Sequence, residues 1–409
     1  MLLELLVWTF LVLGGLALIA NGLSLVQGLR FRGHVRRALR MALGAFLPRA
    51  AVLLPVRGTD DGFDANLRAI LEQAYPSYRL VVVADAADDE GLDRARSVAR
   101  GHPTRRVDTI VAWPSTLGGK VNALRTGLSH LEPDDEVVVF ADADIRPGPD
   151  WLRQLVQPLA DVTVGASTGF RWYVPPDPGF WALVRSEWNA VSANVLFDPE
   201  RNYVWGGSCA VRREHLPRLR LPERWREVLS DDLVLTRAVR EEGLRIAYAP
   251  AALVPTLEGG DRAGCVEWCL RQMTMAVLYQ PELRKYAAAA FGVFNGAVVL
   301  GLIAVVLGFL LDRSFLGPAA LLLATVPATA AKAALRRRAF LSASPAVDGA
   351  WHVPAWRSSL AAVAVPWLMM WGLLRTRHPD VVRWRGRVYD VRDPDRVRLL
   401  EDGPPARPG

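Results

Sequence analysis

Apolar positions along the chain form two kinds of pattern: long runs near both ends, and short runs spaced by helical repeats in the middle. Residues 2–26 carry a single charge and are long enough to cross about 30 Å of hydrocarbon as a helix. Residues 288–311 are uncharged, and the run 315–334 ends on a basic segment. Residues 359–374 form a shorter run that contains Pro366 and precedes a basic tail, so we expect it to re-enter the membrane or lie in the interface.

The middle of the chain, residues 48–282, alternates short apolar runs with stretches of helical periodicity. Strands are predicted at 49–58, 78–85, 105–113 and 137–141, and helices at 64–75, 90–100 and 119–131. Strands separated by helices of about ten residues indicate βαβ units, and continuous apolar strands indicate a sheet covered on both faces. The predicted fold class is therefore α/β: a mostly parallel sheet with flanking helices, plus transmembrane helices at both ends.

Basic residues cluster beside the apolar runs and account for most of the net charge of +7. Five arginines follow the first run, which favours an anchor whose downstream side is cytoplasmic. The predicted parts are a transmembrane anchor (1–28), a basic juxtamembrane segment (29–47), a cytoplasmic domain (48–282), C-terminal membrane segments (283–376) and a basic cytoplasmic tail (377–409). Nucleic acid is not an expected partner, because no aromatic-interleaved motif accompanies the basic clusters. No feature indicates an obligate protein partner.

Carboxylates stand at the ends of two predicted strands. The stretch VVVFADADIRPGPDWL ends a buried strand on Asp142 and Asp144, and the second strand ends at Asp85. In a parallel sheet these ends lie along one edge, where ligands bind. Two carboxylates one residue apart can hold Mg²⁺ or Mn²⁺ against a substrate's phosphates; a solvated acidic turn is the alternative. Asp231 and Asp232 begin a helix, where capping is the alternative to chemistry.

Five stretches resemble, in order and spacing, the inverting, nucleotide-sugar-dependent family-two glycosyltransferases, specifically the ceramide glucosyltransferase-like branch. They are LLPVRGTDDGFDANLRAILEQAYPSYRLVVVADAADDEG, GGKVNAL, FADADIRPGPDWL, WGGSCAVRREHL and SDDLVLTRAVREEGLRIAYAP. That branch is membrane bound and includes bacterial enzymes that glycosylate lipids, among them hopanoid-pathway members. The resemblance covers about residues 48–282 and implies a GT-A-like, nucleotide-sugar-binding fold. It also implies transfer from a UDP-sugar of the glucose or N-acetylglucosamine type to a lipid acceptor, in a bacterial inner membrane with the catalytic domain cytoplasmic.

The resemblance implies roles for individual residues. Donor contacts fall on Pro55, Arg57, Gly58, Asp85, Lys120, Asp142, Arg271 and Gln272; a Mg²⁺ or Mn²⁺ ion falls on Asp144 and Asp142; an acceptor-side loop falls on Trp205, Gly206, Gly207 and Ser208. Asp85 would contact the nucleotide base, with Asp88 as the nearby alternative. Asp232 would be the general base, because inversion needs a carboxylate that takes the proton of the attacking hydroxyl. The ion would stabilise the departing diphosphate as a Lewis acid.

One departure from the family's pattern follows Arg271 and Gln272. The family usually carries an Arg-Trp pair there, whereas this chain reads Met-Thr-Met-Ala at 273–276. In the family that tryptophan supports the terminal sugar of a growing polymer, so we expect one sugar, or few, to be transferred to a lipid. A processive exopolysaccharide synthase and a catalytically inactive membrane homologue are the alternatives.

A periodic apolar face at 179–197 predicts an amphipathic helix before the acceptor-side loop. Its members are Phe180, Trp181, Val184, Trp188, Val191 and Val195. Such a face lies against a membrane, here where a lipid acceptor would enter, or packs into the protein core. Both interpretations are open at this point.

Overall fold

The computed structural model describes residues 1–60, 62–344, 353–377 and 379–403. Its strands are β1 (Ala50–Val56), β2 (Tyr78–Ala84), β3 (Arg106–Val111), β4 (Val137–Ala141), β5 (Val164–Tyr173), β6 (Ser208–Arg212), β7 (Arg245–Thr256), β8 (Val381–Trp384), β9 (Arg387–Asp390) and β10 (Arg398–Asp402). Its α-helices are α1 (Leu2–Ala38), α2 (Phe63–Leu71), α3 (Glu90–Arg100), α4 (Gly119–Ser129), α5 (Trp151–Val156), α6 (Phe180–Ser192), α7 (Leu216–Leu219), α8 (Leu221–Arg224), α9 (Asp231–Glu241), α10 (Arg262–Tyr279), α11 (Pro281–Leu310), α12 (Leu316–Leu323), α13 (Thr325–Ala343) and α14 (Ala355–Arg375). The strands and helices predicted between residues 49 and 141 are all present, with ends shifted by a few residues.

Strands β1 to β7 form one sheet in the order β3-β2-β1-β4-β6-β5-β7. Strand β6 runs antiparallel to its neighbours β4 and β5, and the other pairs are parallel. The prediction of a mostly parallel sheet is therefore confirmed. The chain order reverses at β1, because β2 and β3 lie on one side of it and β4 lies on the other. Such a switch point opens a crevice outside the carboxyl ends of the strands.

Side chains along the central strands alternate between two hydrophobic clusters, one on each face of the sheet. In β1, Val52 and Leu54 belong to the cluster that includes residues of α2, α3 and α5, whereas Leu53 belongs to the cluster that includes residues of α4 and α9. All three side chains are fully buried, and burying each stabilises the fold by about 1.5–3 kcal/mol. A strand covered on both faces accommodates polar groups only where it leaves the sheet.

Segments long and apolar enough to cross a membrane stand at both ends of the described chain. They are Leu2–Ala38, Pro281–Leu310, Arg313–Ala343, which contains α12 and α13, and Ala355–Arg375. The run 359–374, expected to re-enter, lies inside α14, which continues through Pro366. These helices support membrane association. The path of each through the bilayer, including that of α14, stays a prediction.

The basic tail folds into a small sheet, which the prediction of a charged tail did not include. Strands β8, β9 and β10 are antiparallel, in the order β10-β9-β8. A two-residue turn joins β8 to β9, with φ of 47° at Arg385 and 81° at Gly386. A tight hairpin with both central residues in the left-handed region matches a type I′ turn. Val391 and Tyr389 pack this tail sheet against Leu117 of the catalytic domain.

Helix α6 carries the periodic apolar face predicted at 179–197, and most of this face is covered by protein. Val184 and Trp188 are buried and pack in a cluster with residues of α10 and α14. The Trp188 ring meets the Trp268 ring edge-on, with 5.1 Å between centroids. Phe180, at the first turn, is exposed. Of the two interpretations, the structure supports packing into the core, where α14 is itself one of the apolar helices.

Candidate active site

One large cleft, 1710 Å³ in volume, opens at the carboxyl ends of β1, β2 and β4. Of the residues predicted to form the site, those that line the cleft are Pro55, Arg57, Gly58, Asp85, Lys120, Asp142, Asp144, Trp205, Asp232, Arg271 and Gln272. Asp88, the alternative to Asp85, is exposed and does not line the cleft. Gly206, Gly207 and Ser208 are buried and do not line it either. Residues distant in sequence therefore meet at the predicted edge of the sheet.

Asp142 and Asp144 leave β4 between two cations. Lys120 Nζ, at the start of α4, lies 2.8 Å from Asp142 Oδ1. Arg171, on β5, donates to Asp142 Oδ2 at 2.8 Å and to the two oxygens of Asp144 at 2.7 and 2.9 Å. The Arg171 guanidinium also lies over the Trp205 ring, 5.1 Å from its centroid. All four oxygens of the carboxylate pair therefore accept a charge-assisted hydrogen bond, the strong kind.

The charges around this pair outweigh the effect of burial on protonation. Burial by itself would raise the pKa of Asp142, but Lys120 and Arg171 lower it below its ordinary value. Burial would lower the pKa of Arg171, but Asp144 and Asp142 raise it well above its ordinary value. The pKa of Lys120 is raised in the same way, against burial, by Asp142 and Asp231. Asp142 and both cations are therefore charged at neutral pH.

The donor set fits a divalent ion in kind. Adjacent carboxylate oxygens are the ligands that Mg²⁺ and Mn²⁺ prefer. Within the ranges that the structure describes, no group of three or more His, Cys, Asp or Glu side chains could hold an ion by itself. An ion at Asp142 and Asp144 would therefore share these carboxylates with Lys120 and Arg171, and would take its other ligands from substrate and water.

Asp231 is a second carboxylate in contact with Lys120. Its carboxylate is buried, and Oδ2 lies 3.1 Å from Lys120 Nζ. Burial, together with the nearby charges of Asp232 and Asp142, raises the pKa of Asp231 to about 6, although Lys120 acts in the opposite direction. Lys120 therefore bridges two carboxylates that come from β4 and α9.

Asp232 is held by local hydrogen bonds at the start of α9. Its Oδ1 accepts from the Ser230 hydroxyl at 2.6 Å and from the Leu233 N–H at 2.8 Å. Its Oδ2 accepts from the Gly206 N–H at 3.2 Å. A carboxylate oxygen can accept two hydrogen bonds, so Oδ2 keeps acceptor capacity in a residue that lines the cleft. Ser230 is the N-cap of the helix, and the bonds of Asp232 orient its carboxylate.

The two glycines of the acceptor-side loop allow carboxylates to approach the backbone closely. A Cβ at Gly206 would collide with Oδ2 of Asp231, and a Cβ at Gly207 would lie 2.5 Å from Oδ2 of Asp142. The Ser208 hydroxyl accepts a hydrogen bond from the indole N–H of buried Trp151 at 2.8 Å. Gly206, Gly207 and Ser208 therefore support the site without lining the cleft. Of this loop, Trp205 is the residue that lines it.

At the end of the cleft where the donor is predicted to bind, Asp85 follows β2 and faces the residues that follow β1. Its Oδ2 accepts from the Gly119 N–H at 2.9 Å and from Arg387 Nη1, on the tail sheet, at 2.6 Å. The Gly58 N–H donates to both carboxylate oxygens of Asp89, at 3.0 and 3.1 Å. Asp89 also caps α3. Asp89 therefore has a structural role in this acidic stretch, and Asp85 is the member that faces the cleft.

Arg271 and Gln272 enter the cleft from α10. Burial, reinforced by the like charges of Arg385 and Arg171, lowers the pKa of Arg271, against the opposite influence of nearby acidic groups. Within the described ranges Arg271 makes no ion pair or hydrogen bond through its side chain. An uncompensated guanidinium beside other cations indicates a place for an anionic ligand.

Two groups of residues at the site were absent from the sequence prediction. Arg171 stands alone in an apolar strand, and only the sheet order brings it next to Asp142 and Asp144. Arg385 and Arg387 line the cleft from the tail hairpin. Their signal in the sequence is an Arg-Gly pair between two alternating apolar runs, which is a weak form of a two-residue hairpin pattern.

The other end of the cleft is walled by apolar helices. Phe291 and Phe294 of α11 and Val365 and Met369 of α14 line it there. The same cleft is lined by Asp142 and Asp232 at its polar end, so an apolar chain and a polar head group can occupy it together.

Comparisons with known proteins identify the family of the chain. The model of glycosyl transferase family 21 matches residues 16–397. The chain is 22% identical over 209 residues to ceramide glucosyltransferase 1 of Caenorhabditis elegans, an alignment that covers 50% of this chain and 44% of that protein. The alignment therefore spans less than half of this relative's length. The chain belongs to glycosyl transferase family 21, which confirms the predicted ceramide glucosyltransferase-like resemblance and identifies a glycosyltransferase.

Two solved structures are also similar in fold. One is a mannosyltransferase from Pyrobaculum calidifontis in complex with GDP-Man and Mn²⁺, with 23% identity, a TM-score of 0.47, and coverage of 89% of this chain and 97% of that one. The other is glucosyl-3-phosphoglycerate synthase from Mycobacterium tuberculosis in complex with Mn²⁺, UDP-glucose and glycerol 3-phosphate. It has 18% identity, a TM-score of 0.38, and coverage of 60% of this chain and 83% of that one.

Proposed function

We propose that this glycosyltransferase moves one sugar, of the glucose or N-acetylglucosamine type, from a UDP-sugar to a lipid, with inversion at the anomeric carbon. The observation that carries the proposal is the continuity of the cleft. It runs from polar strand ends at Asp85 and Asp142 to a wall of apolar helices at Phe291 and Met369. A water-soluble donor requires the polar end of the cleft and a lipid acceptor requires the apolar end, and transfer requires that the two ends be connected.

The donor is bound at the strand ends. Pro55, Arg57, Gly58 and Asp85 surround the base and ribose. Lys120 and Arg271 hold the diphosphate, since a lysine acts as a point charge and a guanidinium can bind two phosphate oxygens. Asp142 and Asp144 would hold a Mg²⁺ or Mn²⁺ ion, which would supply Lewis-acid stabilisation of the leaving diphosphate. The guanidinium of Arg271, which has no hydrogen-bond or ion-pair partner among the described residues, supports this arrangement.

Transfer requires a base on the acceptor side of the sugar. Asp232 Oδ2 takes the proton of the acceptor hydroxyl as its oxygen forms a bond to the anomeric carbon. The bond from that carbon to the diphosphate oxygen breaks, and its electron pair leaves with UDP. Hydrogen bonds from Ser230, Leu233 and Gly206 hold the Asp232 carboxylate in one orientation. The side chain therefore does not need to reorient before it takes the proton.

The acceptor enters from the membrane, with Trp205 beside its head group. We place the protein in a bacterial inner membrane with the catalytic domain on the cytoplasmic face. Arginines that follow the apolar run of α1 support this orientation, because basic residues are retained on the cytoplasmic side. No partner protein is required by this arrangement.

The alternatives are a processive exopolysaccharide synthase and an inactive homologue. The absence of the Arg-Trp pair after Arg271 and Gln272 favours a short product over a polymer. The presence around the cleft of all four aspartates that the family resemblance requires favours an active enzyme; they are Asp85, Asp142, Asp144 and Asp232.

Sugar transfer by purified membranes tests the proposal. Each of several labelled UDP-sugars is offered with Mn²⁺ or with EDTA, and lipid is then extracted and compared with the insoluble residue. We expect label in one lipid, from one donor, lost with EDTA and lost at least about 100-fold with Asp232→Asn.

The matched control is Asp161→Asn, which alters an exposed aspartate paired with Arg245 and is expected to leave transfer unchanged. Label in long insoluble polymer would establish the synthase instead. No transfer from any UDP-sugar, in membranes that contain the intact protein, would contradict the proposed donor or the activity itself.

A further inference from the structure

The tail sheet is docked on the donor end of the cleft through ion pairs. Arg387 Nη1 donates to Asp85 Oδ2 at 2.6 Å, and Arg57 Nη2 donates to Asp402 Oδ1 at 3.1 Å. A further ion pair joins Arg385, in the hairpin turn, to Asp60, in the loop after β1. The tail therefore forms one wall of the pocket that the family resemblance assigns to the nucleotide base.

Arg387 is fixed in this wall. Its side chain is 7% exposed, and its Nε and Nη2 donate to the two oxygens of Asp402 at 2.8 and 3.2 Å. It passes over the turn before α4, where a Cβ at Gly118 would lie 2.8 Å from its Nη1. Gly118 and Gly119 both have φ in the left-handed region, 60° and 77°. The backbone of this turn thus leaves room for the guanidinium, and Arg387 reaches Asp85 in a set geometry.

The consequence for Asp85 is that its two oxygens differ. Oδ2 already accepts from Arg387 and from the Gly119 N–H. Oδ1 is buried and has no hydrogen-bond partner within the described ranges. Nearby, Nε and Nη1 of Arg57 are buried donors that also have no partner there, and Nη1 lies 4.0 Å from Asp85 Oδ2. The pocket therefore offers one free acceptor with free donors beside it, and leaving such groups unpaired is costly.

This pattern complements the imide edge of uracil, which presents one N–H between two carbonyl oxygens. Guanine presents two adjacent donors, a ring N–H and an amino group, and would need both oxygens of the carboxylate. We propose that Arg387 sets the base selectivity of the donor site, by occupying Asp85 Oδ2 so that only one acceptor remains for the base. The inference rests on the proposed UDP-sugar donor and adds the residue that excludes guanine nucleotides.

Equilibrium binding of UDP and of GDP to the purified full-length protein tests the inference without turnover. Titration calorimetry gives the ratio of the two dissociation constants for the wild type and for Arg387→Met. We expect the wild type to prefer UDP, and the variant to lose about tenfold of that preference, because both oxygens of Asp85 become available to guanine.

Two further variants separate selectivity from folding of the tail. Arg383→Met changes an exposed arginine of the neighbouring strand β8, and Asp402→Asn weakens the support of Arg387 while its bond to Asp85 remains. Both are expected to keep the wild-type ratio, even if Asp402→Asn weakens both affinities. If Arg387→Met binds neither nucleotide, Arg387→Ala takes its place, since alanine carries no donor for Asp85 Oδ2 and adds no bulk to the pocket wall.

An unchanged ratio in the Arg387 variant that binds nucleotide would overturn the inference and leave the donor proposal intact. A wild type that binds no UDP, or binds GDP more tightly, would overturn the donor proposal and this inference with it.

Discussion

Replacing Arg171 with methionine is expected to make the stability of the protein dependent on a divalent ion. Arg171 neutralises Asp142 and Asp144 from strand β5, which β6 separates from β4, and its side chain is 11% exposed. Without it, two carboxylates only one residue apart retain Lys120 alone as a counter-charge, and Lys120 contacts only Asp142 among these two. Methionine keeps the approximate length of the side chain, so the change removes charge more than volume.

The size of the effect follows from burial of the pair. Removing one partner of a buried ion pair costs about 3–5 kcal/mol. Because the side chains of Asp142 and Asp144 are 22% and 17% exposed, we expect a cost at or just below the lower limit of that range, about 2–3 kcal/mol. For a domain of this size such a loss lowers the unfolding midpoint by about 5–10 °C. An ion present at 100 times its dissociation constant restores about 2.7 kcal/mol.

Thermal unfolding of purified protein, with Mn²⁺ and with EDTA, measures both quantities. The variant is expected to unfold earlier than the wild type in EDTA and to recover with Mn²⁺ by several degrees more than the wild type does. Arg245→Met, which removes an exposed ion pair on the adjacent strand β7, is expected to leave the midpoint unchanged. Equal midpoints for wild type and Arg171→Met in EDTA would refute the reasoning, as would an equal response to Mn²⁺.

Three other changes have defined outcomes. Because the pKa of Asp231 is raised from 3.8 to about 6, the folded state holds a proton that the unfolded state has lost. Wild-type stability should therefore fall by about 2 kcal/mol between pH 4 and pH 6 relative to Asp231→Asn; parallel midpoints for the two proteins across this range would contradict this. Gly118→Ala places a Cβ against Arg387 at a backbone φ of 60°, and is expected to weaken UDP binding about tenfold in calorimetry, whereas unchanged affinity would show that the turn adapts. Arg385→Gly should raise the unfolding midpoint slightly, because glycine adopts a left-handed backbone without strain, and should weaken UDP binding. If the unfolding midpoint and the UDP affinity both rose or both fell, the interpretation that this cation is retained for function would be contradicted.

Much of the α/β domain could be predicted because a strand that is buried on both faces of a sheet is apolar at consecutive positions. Strand β1 is apolar at consecutive positions, since Leu53 packs on one face of the sheet and Val52 on the other. The same rule made Asp85 and Asp142 conspicuous, because a carboxylate at the end of such a strand has no place in either cluster. Family resemblance then supplied the roles that composition and spacing left open.

The residues that the prediction missed depend on contacts between distant parts of the chain. Arg171 has apolar and aromatic neighbours in its strand, and its partners lie across the antiparallel strand β6, which the sequence pattern did not order. The family resemblance assigned Gly206 and Gly207 to a loop on the acceptor side. They instead make room for Asp231 and Asp142, a distinction that requires knowing which side of the loop faces the cleft.

The tail illustrates how a locally unfavourable residue identifies a site. Arg385 holds a backbone conformation that costs an L-residue about 1–2 kcal/mol, although Asn or Gly suits that position of the turn better. Its guanidinium donates to both oxygens of Asp60, at 2.6 and 3.1 Å, and it lines the cleft. Such strain persists where surrounding structure enforces it, commonly at functional sites. Helix α10 lacks the family's Arg-Trp pair, and the hairpin brings Trp384 and Arg385 into the same cleft. The proposed donor site is therefore complete only when strands β8, β9 and β10 are folded against it.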